Sequence, residues 1–385
     1  MNICIVTNRF ARDEGQGRVN YEIARYAAAE GYQVTCVAHH IGTDLLQYPA
    51  VQWVRMPDAN KPVALLGNIV FLLSTVRWLR RFGDRYDVVL TNGANTAHPA
   101  DINVVHFVQS AWREAASTIP DAHEGYRGLY QRLYTSVGAL LERYIVPKAG
   151  IICAVSEKVK NELVHLGMPS SRIRVVHNGV DVREFYPGTA SRTSLELPDD
   201  VPLGLFAGDI KTRRKNLDSV LRALQRVDDV HLAVAGDTAD SPFPSLAQRM
   251  GIADRVHFLG FRRDIPDLMR TADFFVFPSR YEACTLVLLE AMASGLPIIT
   301  AKTAGGAELV DTQSGYVLDD PEDVEEIAQA MRTLAEDSGL RQKMAHQARS
   351  NAENLTWEHM AKQYMGLIDE VAAAKNGRGT VRGYA

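Results

Sequence analysis

The stretch from Phe274 to Thr300, FFVFPSRYEACTLVLLEAMASGLPIIT, constrains the fold of this chain more than any other. Phe274 to Phe277 is an apolar, aromatic run of strand length, and Pro278 ends it. Glu282 falls in the loop that follows. Thr285 stands where a helix cap belongs, before a short helix that starts near Leu286 and stops at Gly295, with Pro297 beyond. Ile298 to Thr300 reads as the next strand, so the pattern is that of a parallel α/β sheet.

A helix that begins directly after a strand opens its unpaired N–H groups at the carboxyl end of the sheet. That is an anion site, and ligands of open α/β sheets bind there. With a phosphate at the helix start, Glu282 and Glu290 are carboxylates left on either side to bind hydroxyls. A nucleotide sugar offers that layout of sugar, diphosphate and ribose. The competing reading makes Glu282 a solvated loop charge and Glu290 a surface charge. Leu288, Leu289, Ala291 and Met292 flank Glu290 and speak against a purely structural surface position.

The run Tyr281-Glu282-Ala-Cys-Thr-Leu-Val-Leu-Leu-Glu290-Ala-Met-Ala-Ser-Gly-Leu-Pro resembles the E-x7-E signature of the family 4 retaining glycosyltransferases. It departs at Ala283, Cys284 and Thr285, where that family often carries Gly-Phe-Gly or Gly-Phe-Pro, and there it is similar to a subgroup that includes lipopolysaccharide-core glucosyltransferases. The resemblance implies an α/β chain of GT-B architecture: two Rossmann-like domains facing a central cleft, with a C-terminal helix crossing back to the first. It covers nearly all of Met1 to Val371.

Composition agrees with an ordinary globular chain. Its 385 residues suit two or three domains, and a net charge of −4 gives no broad basic field for nucleic acid. Cys4, Cys36, Cys153 and Cys284 lack metal or disulfide spacing, which predicts buried free thiols in a reducing compartment. The start, MNICIVTNRF, reads as a strand rather than a leader, and no run of about 18 apolar residues offers a membrane span. The expected location is cytoplasmic.

Asn2 to Thr7 is a strand, followed by a loop with Gly15-Gln-Gly17-Arg18, a helix from Val19 to Glu30 and a strand from Gln33 to Ala38. Two glycines alone mark a tight turn; the resemblance places Gly15 and Gly17 beside the donor phosphate and the acceptor. Val63 to Phe82 reads as an apolar helix ending in Arg77, Trp78, Arg80 and Arg81. It is a buried helix with cations at its dipole's negative end, or a surface in weak peripheral contact with the inner membrane face. His106 lies near the end of a strand from Ile102 to Val108, and the resemblance turns it toward the donor sugar; His98 is its competitor. The stretch after Ser110 reads as irregular and that from Leu129 to Val146 as a helix. Tyr126, Arg127, Tyr130, Arg132, Tyr134, Arg143 and Tyr144 make it aromatic and basic, an acceptor-side surface or a helix packed on the core.

Ile151 to Val155 is the last strand expected in the first domain, and Ser156 caps the next helix. The turn at His177-Asn178-Gly179 resembles the family's domain crossing. The expected domains are residues 1–176 with a returning helix at about 357–373, residues 177–356, and a mobile tail at 374–385. In the second domain a strand from Pro202 to Ala207 leads into Lys211-Thr-Arg213-Arg214-Lys215-Asn216, a basic loop before a helix. Its placement favours a diphosphate clamp over a solvated charge run. Family members often carry Gly-Arg-Leu at Gly208-Asp209-Ile210, so Arg214 and Lys215 are the expected clamp, with Arg213 as the alternative. The resemblance places the base near the Gly260-Phe261 turn and puts Thr285 and Leu286 at the phosphates.

The resemblance, with these readings, implies a retaining, metal-independent hexosyltransferase with no cofactor. Its donor is a UDP-, GDP- or ADP-sugar, its acceptor a saccharide or lipid-linked saccharide, and its expected setting cell-surface glycan biosynthesis. Glu282 would orient the sugar, Glu290 the ribose, and His106 would contact the sugar. Two alternatives stay open: a nucleotide-sugar epimerase of the same architecture, and a catalytically silent sugar-nucleotide binding protein.

Overall fold

The computed structural model describes residues 1–12, 15–58, 63–119 and 125–381, with the side chains of 125–127 and 377–381 left aside. The chain forms two compact units. One comprises Met1–Arg113, Tyr130–Gly179 and Trp357–Ala385; the other comprises Glu114–Leu129 and Val180–Thr356.

The first half of the chain carries β1 (Asn2–Val6), β2 (Arg9–Phe10), α1 (Gly15–Ala29), β3 (Gln33–Ala38), β4 (His40–Ile41), β5 (Val51–Arg55) and α2 (Ala64–Phe82). Then follow β6 (Val88–Asn92), β7 (Ile102–Val105), α3 (Gln109–Thr118), α4 (Gly125–Ile145), β8 (Ile151–Ala154), α5 (Glu157–His165) and β9 (Ile173–Val175). Seven strands pair in the order β5-β3-β1-β6-β7-β8-β9, all parallel. Their apolar runs are near-continuous because a parallel sheet is covered on both faces; in β1, Ile3, Cys4, Ile5 and Val6 are all buried. Ser156 caps α5 by accepting from Val159 N at 3.1 Å. The C-terminal helix, Trp357–Val381, belongs to this unit. Tyr32 Oη donates to Asp369 Oδ1 at 3.1 Å, and Lys375 Nζ lies 2.7 Å from Asp101 Oδ2.

The second half carries β10 (Leu203–Ala207), α6 (Leu217–Leu224), β11 (His231–Ala235), α7 (Phe243–Arg249), β12 (Val256–Gly260) and α8 (Ile265–Thr271). It continues with β13 (Phe274–Phe277), α9 (Leu286–Ala293), β14 (Ile298–Ala301), β15 (Gly315–Leu318), α10 (Val324–Glu336) and α11 (Ser338–Glu353). Six parallel strands take the order β12-β11-β10-β13-β14-β15. Phe274, Phe275 and Phe277 are fully buried at its centre, and truncating one to alanine costs about 3–5 kcal/mol. Leu217, Val220, Leu221 and Leu224 of α6 recur at helical spacing and face the same core. α9 is apolar on nearly every side, as a helix packed within a core must be.

Several sequence expectations change: β9, not the strand at Ile151–Val155, is the last strand of the first sheet. The stretch after Ser110 is helical as α3, not irregular. Gly15 and Gly17 stand in the first turn of α1, not in a loop before it. The strand carrying His106 stops at Val105. The last helix continues to Val381 instead of ending near residue 373, and residues 382–385 lie outside those described. The side chains of Tyr126 and Arg127 also lie outside them. Cys4, Cys36 and Cys153 are buried free thiols as expected, and Cys284 is half-buried.

Candidate active site

In each sheet the strand order reverses about a central pair: β1 and β6 in the first, β10 and β13 in the second. A crevice opens where neighbouring crossovers leave in opposite directions, and it opens at the carboxyl ends of those strands. The second unit places the expected anion site there. The loop after β10 holds Arg213–Lys215 as one tight helical turn, and the loop after β13 holds Glu282. Arg214 Nη1 lies 2.5 Å from Glu282 Oε1, and Lys215 Nζ pairs with the same oxygen. Lys211, at the exposed start of the basic loop, pairs instead with Asp237 at 2.5 Å. Burial lowers the pKa of Lys215, and the Glu282 carboxylate opposes that shift.

The clamp is held from below by residues that the sequence did not single out. Asn216 sits at φ +67°, and its buried amide donates to Pro278 O at 2.9 Å and Pro321 O at 2.6 Å. An asparagine tolerates that left-handed backbone better than most residues. Arg280 is 7% exposed and its guanidinium makes a fork with Asp218, at 2.7 and 3.0 Å. It also pairs with Glu322 and donates to Arg213 O at 2.5 Å. The backbone N–H of Arg280 and the hydroxyl of Ser279 both donate to Arg214 O, each at 3.0 Å. The carbonyls of the cationic turn are therefore fixed while its side chains face the site.

Thr285 occupies the cap position of α9, yet its side chain makes no cap bond, and its buried hydroxyl has no partner. This corrects the expectation of a side-chain cap. The first N–H groups of a helix have no intrahelical acceptor, so Leu286 presents a donor beside the cations, whereas the Thr285 N–H is spent on Gly305 O. The loop is pinned by Glu282 N to Thr303 O at 3.2 Å, Thr285 N to Gly305 O at 2.9 Å and Gly305 N to Glu282 O at 2.9 Å. Glu290 lies further along α9, half-buried. At the same edge, Gly236 N donates to Gly260 O at 2.9 Å, and a Cβ on Gly236 would meet Gly208 O at 2.4 Å. Gly260 turns at φ +70° and leaves Phe261 73% exposed.

In the first unit the corresponding strand ends carry Asn8, Asn92 and His106. Asn92 links Val6 O at 3.1 Å, Asn20 at 2.9 Å and His106 Nε2 at 2.8 Å. Burial pushes the His106 imidazole down to about 3, so the ring is neutral at neutral pH and serves as a hydrogen-bonding group. It lines a cavity of about 200 Å³ together with Gln16, which follows Gly15 in the first turn of α1. His98 is held by Pro99 O at 2.8 Å and is not among the residues lining this cavity.

Comparison with known proteins gives this geometry its class. The sequence profile "Glycosyltransferase Family 4" matches residues 14–184, and "Glycosyl transferases group 1" matches residues 201–337. An uncharacterized glycosyltransferase of Methanocaldococcus jannaschii is 24% identical over 92% of this chain and 94% of its own length. Among solved structures, WaaG, a glycosyltransferase involved in lipopolysaccharide biosynthesis, superposes with a TM-score of 0.74 at 22% identity, over 95% of this chain and 99% of that one. Anabaena HepE in complex with UDP-glucose superposes with a TM-score of 0.67 at 20% identity, over 97% of this chain and 100% of that one. The fold is the α/β GT-B fold, and the two profile matches make the chain a glycosyltransferase. The family 4 glycosyltransferase profile covers its first half and the group 1 glycosyltransferase profile its second.

Proposed function

We propose that this chain transfers a hexose with retention of configuration, without a metal ion, to a saccharide or lipid-linked acceptor of a cell-surface glycan. The observation that carries the reading is the convergence of Arg214 and Lys215 on Glu282 beside the open start of α9. The Anabaena neighbour's UDP-glucose complex supports a uridine nucleotide as the donor to test first.

In the reaction the C1–O bond to the diphosphate breaks and the acceptor oxygen bonds to C1. The acceptor's proton passes to the leaving phosphate oxygen. Negative charge grows on that phosphate, and Arg214, Lys215 and the N–H group at Leu286 stabilise it. The diphosphate takes over the two cations, and Glu282 turns to the sugar hydroxyls. Glu290 holds the ribose, the Gly260-Phe261 turn receives the base, and neutral His106 hydrogen-bonds the sugar. Weak peripheral membrane contact through α2 belongs to the same reading; Leu66, Val70 and Leu73 are exposed there, and Arg80 and Arg81 stand in its last turn. No helix among the described residues is long and apolar enough to cross a membrane.

Incubation with UDP-sugars alone, followed by mass spectrometry and NMR of the anomeric signal, tests the reading. Slow hydrolysis with retained configuration, undiminished by a chelator, is expected. Interconversion of the sugar indicates an epimerase, and binding without turnover a silent binding protein. Activity lost to a chelator and restored by magnesium overturns the metal-free part.

A further inference from the structure

His106 is held by a pair of buried amides. Asn20 of α1 and Asn92 at the end of β6 are 0% and 1% exposed. Their side chains face each other and bond both ways. Asn92 Nδ2 donates to Asn20 Oδ1 at 2.9 Å, and Asn20 Nδ2 donates to Asn92 Oδ1 at 3.1 Å. Each amide places its second N–H on a backbone carbonyl: Asn92 on Val6 O at 3.1 Å, and Asn20 on Gln16 O at 2.9 Å. A carbonyl only accepts, so neither amide can be turned over without setting oxygen against oxygen. Asn92 Oδ1 is therefore an acceptor, and it lies 2.8 Å from His106 Nε2.

That contact decides which ring nitrogen carries the proton. Burial keeps the imidazole neutral, with one N–H and one bare nitrogen. Glu142 is the one charged side chain among the described residues that line the cavity, and it accepts from Gln109 N at 2.7 Å and Ser110 N at 3.2 Å. A bare Nε2 would meet Asn92 Oδ1 lone pair against lone pair. The proton is on Nε2, and Nδ1 is the bare acceptor. Nδ1 makes no bond among the described residues, and it is not one of the buried polar atoms left without a partner. His106 is half-buried and lines the cavity, so this acceptor is open to a guest. A tie between α1 and the sheet explains the amides only in part. Burying an amide is costly unless all of it is bonded, and apolar side chains would pack α1 on the sheet without that demand. What the amides add is a fixed tautomer.

We propose that Asn20 and Asn92 are positioning residues that hold His106 in the Nε2–H tautomer, so that Nδ1 accepts from a hydroxyl of the transferred sugar and refuses a carboxylate in that place. A hydroxyl donates to Nδ1, whereas a carboxylate only accepts and meets a lone pair. A site built for a hydrogen bond rejects the analogue that cannot make it. The donor class is a hydroxylated hexose rather than a uronate. The inference deepens the reading of His106 given above and rests on it.

The full chain with isotope-labelled histidine is read by nitrogen NMR at neutral pH, and His106→Gln identifies the His106 signals among the 11 histidines. A protonated Nε2 and a bare Nδ1 are expected, a signature that a merely structural tie does not require. A protonated Nδ1, or a proton averaged over both nitrogens, overturns the proposal. Hydrolysis of UDP-glucose and UDP-glucuronate by the same preparation reads the consequence. The kcat/KM for UDP-glucose should be higher by at least about tenfold. Asn92→Asp sets a carboxylate against Nε2 and favours the imidazolium, whose Nδ1 donates; the preference should then shrink at least about threefold as the ring charges. The melting temperature checks the fold of that variant. Should it fail to fold, the parent's tautomer and donor preference decide alone. Equal use of the two donors by the parent, or an unchanged preference in a folded Asn92→Asp protein whose ring is seen to charge, overturns the proposal. Turnover of UDP-glucose with the wrong tautomer removes only this inference, whereas the expected tautomer in a chain that turns over neither donor removes the sugar-reading role.

Discussion

Glu282 Oε1 lies 2.5 Å from Arg214 Nη1 and accepts Lys215 at the same oxygen, so one carboxylate pairs with both cations of the clamp and leaves them a net positive charge. An incoming diphosphate seeks those same two groups. On the proposed function Glu282 would be a stand-in anion before the donor arrives and a sugar ligand afterwards. Glu282→Gln should lower turnover at least about a hundredfold, in the range for a positioned group acting in the transition state. The same change removes a negative charge beside the diphosphate, so UDP affinity should stay level or rise about threefold. Initial rates and calorimetry on one preparation check both halves. Full turnover in a folded Glu282→Gln protein sinks the assignment of Glu282 to the sugar.

Arg214→Ala and Lys215→Ala should each weaken UDP about tenfold or more, since a hydrogen bond to a charged group contributes roughly 1.5–3 kcal/mol. Lys211→Ala is the contrast. Its partner is the exposed Asp237, and a fully solvated ion pair contributes little. The calorimetric affinity of Lys211→Ala should stay within about threefold of the parent. If all three variants weaken UDP alike, the basic loop acts as a diffuse field rather than as a two-residue clamp.

Arg280 acts through the clamp rather than on the substrate. Arg280→Met leaves Asp218, 2% exposed, without its fork partner. Breaking a buried pair in this way costs about 3–5 kcal/mol, so the melting temperature should fall by several degrees. It also releases the carbonyls of Arg213 and Arg214, and UDP affinity should drop at temperatures where the protein is still folded. Arg280→Lys should recover part of the stability, because it restores charge but not the fork. Arg280→Met with unchanged UDP affinity would leave the residue a purely structural one.

The second unit's centre was legible because its chemistry is local in sequence. β13 is a continuous apolar run, Pro278 stops it, Gly295 ends the helix after it, and Glu282 and Glu290 ride on that frame. Arg280 was passed over although it stands two places before Glu282. Its partners Asp218 and Glu322 are 62 and 42 residues away, and only the folded chain shows that they bury it. The start of α3 was missed for the same reason: Glu142, 33 residues on, supplies the acceptor for Gln109 N. β5, β9 and β15 are short and mixed in polarity, and their ladders with neighbouring strands make them strands. Gly15 and Gly17 suggested a loop because glycine disfavours helix; tertiary packing overrides that weak preference in α1.

Glu290 should fail differently from Glu282. It stands along α9, beyond the phosphate-facing start, where the ribose of either donor or free nucleotide would reach it. Glu290→Gln should weaken UDP and UDP-sugar by similar factors, about fivefold to thirtyfold each, as expected for losing one charge-assisted bond. Uridine-free diphosphate should bind the variant as it binds the parent. Loss of diphosphate binding would move Glu290 from the ribose to the phosphate site.

His231 and His257 set an acid limit on the second unit. His231 Nδ1 lies 2.9 Å from His257 Nε2, with the rings stacked, at the ladder between β11 and β12. Burial lowers both pKa values; Arg255 adds to the shift at His231, with Asp254 and Asp229 opposing, and His231 adds to that at His257. The folded pKa values therefore lie below the unfolded value of about 6.5. Below that pH the unfolded chain binds more protons than the folded one, so stability falls as pH drops through about 6.5. The loss continues until the folded groups titrate, at no more than about 1.4 kcal/mol per pH unit for each proton. Buried His106 adds to the same slope over a wider range, since it titrates at about 3. The pair's own share is the difference between the parent and His257→Gln, which keeps a hydrogen-bonding side chain but cannot charge. Between pH 7 and 5 the melting temperature of His257→Gln should fall less steeply than that of the parent. Parallel slopes for the two proteins would remove the histidine pair from the account of acid sensitivity and leave His106 to explain it.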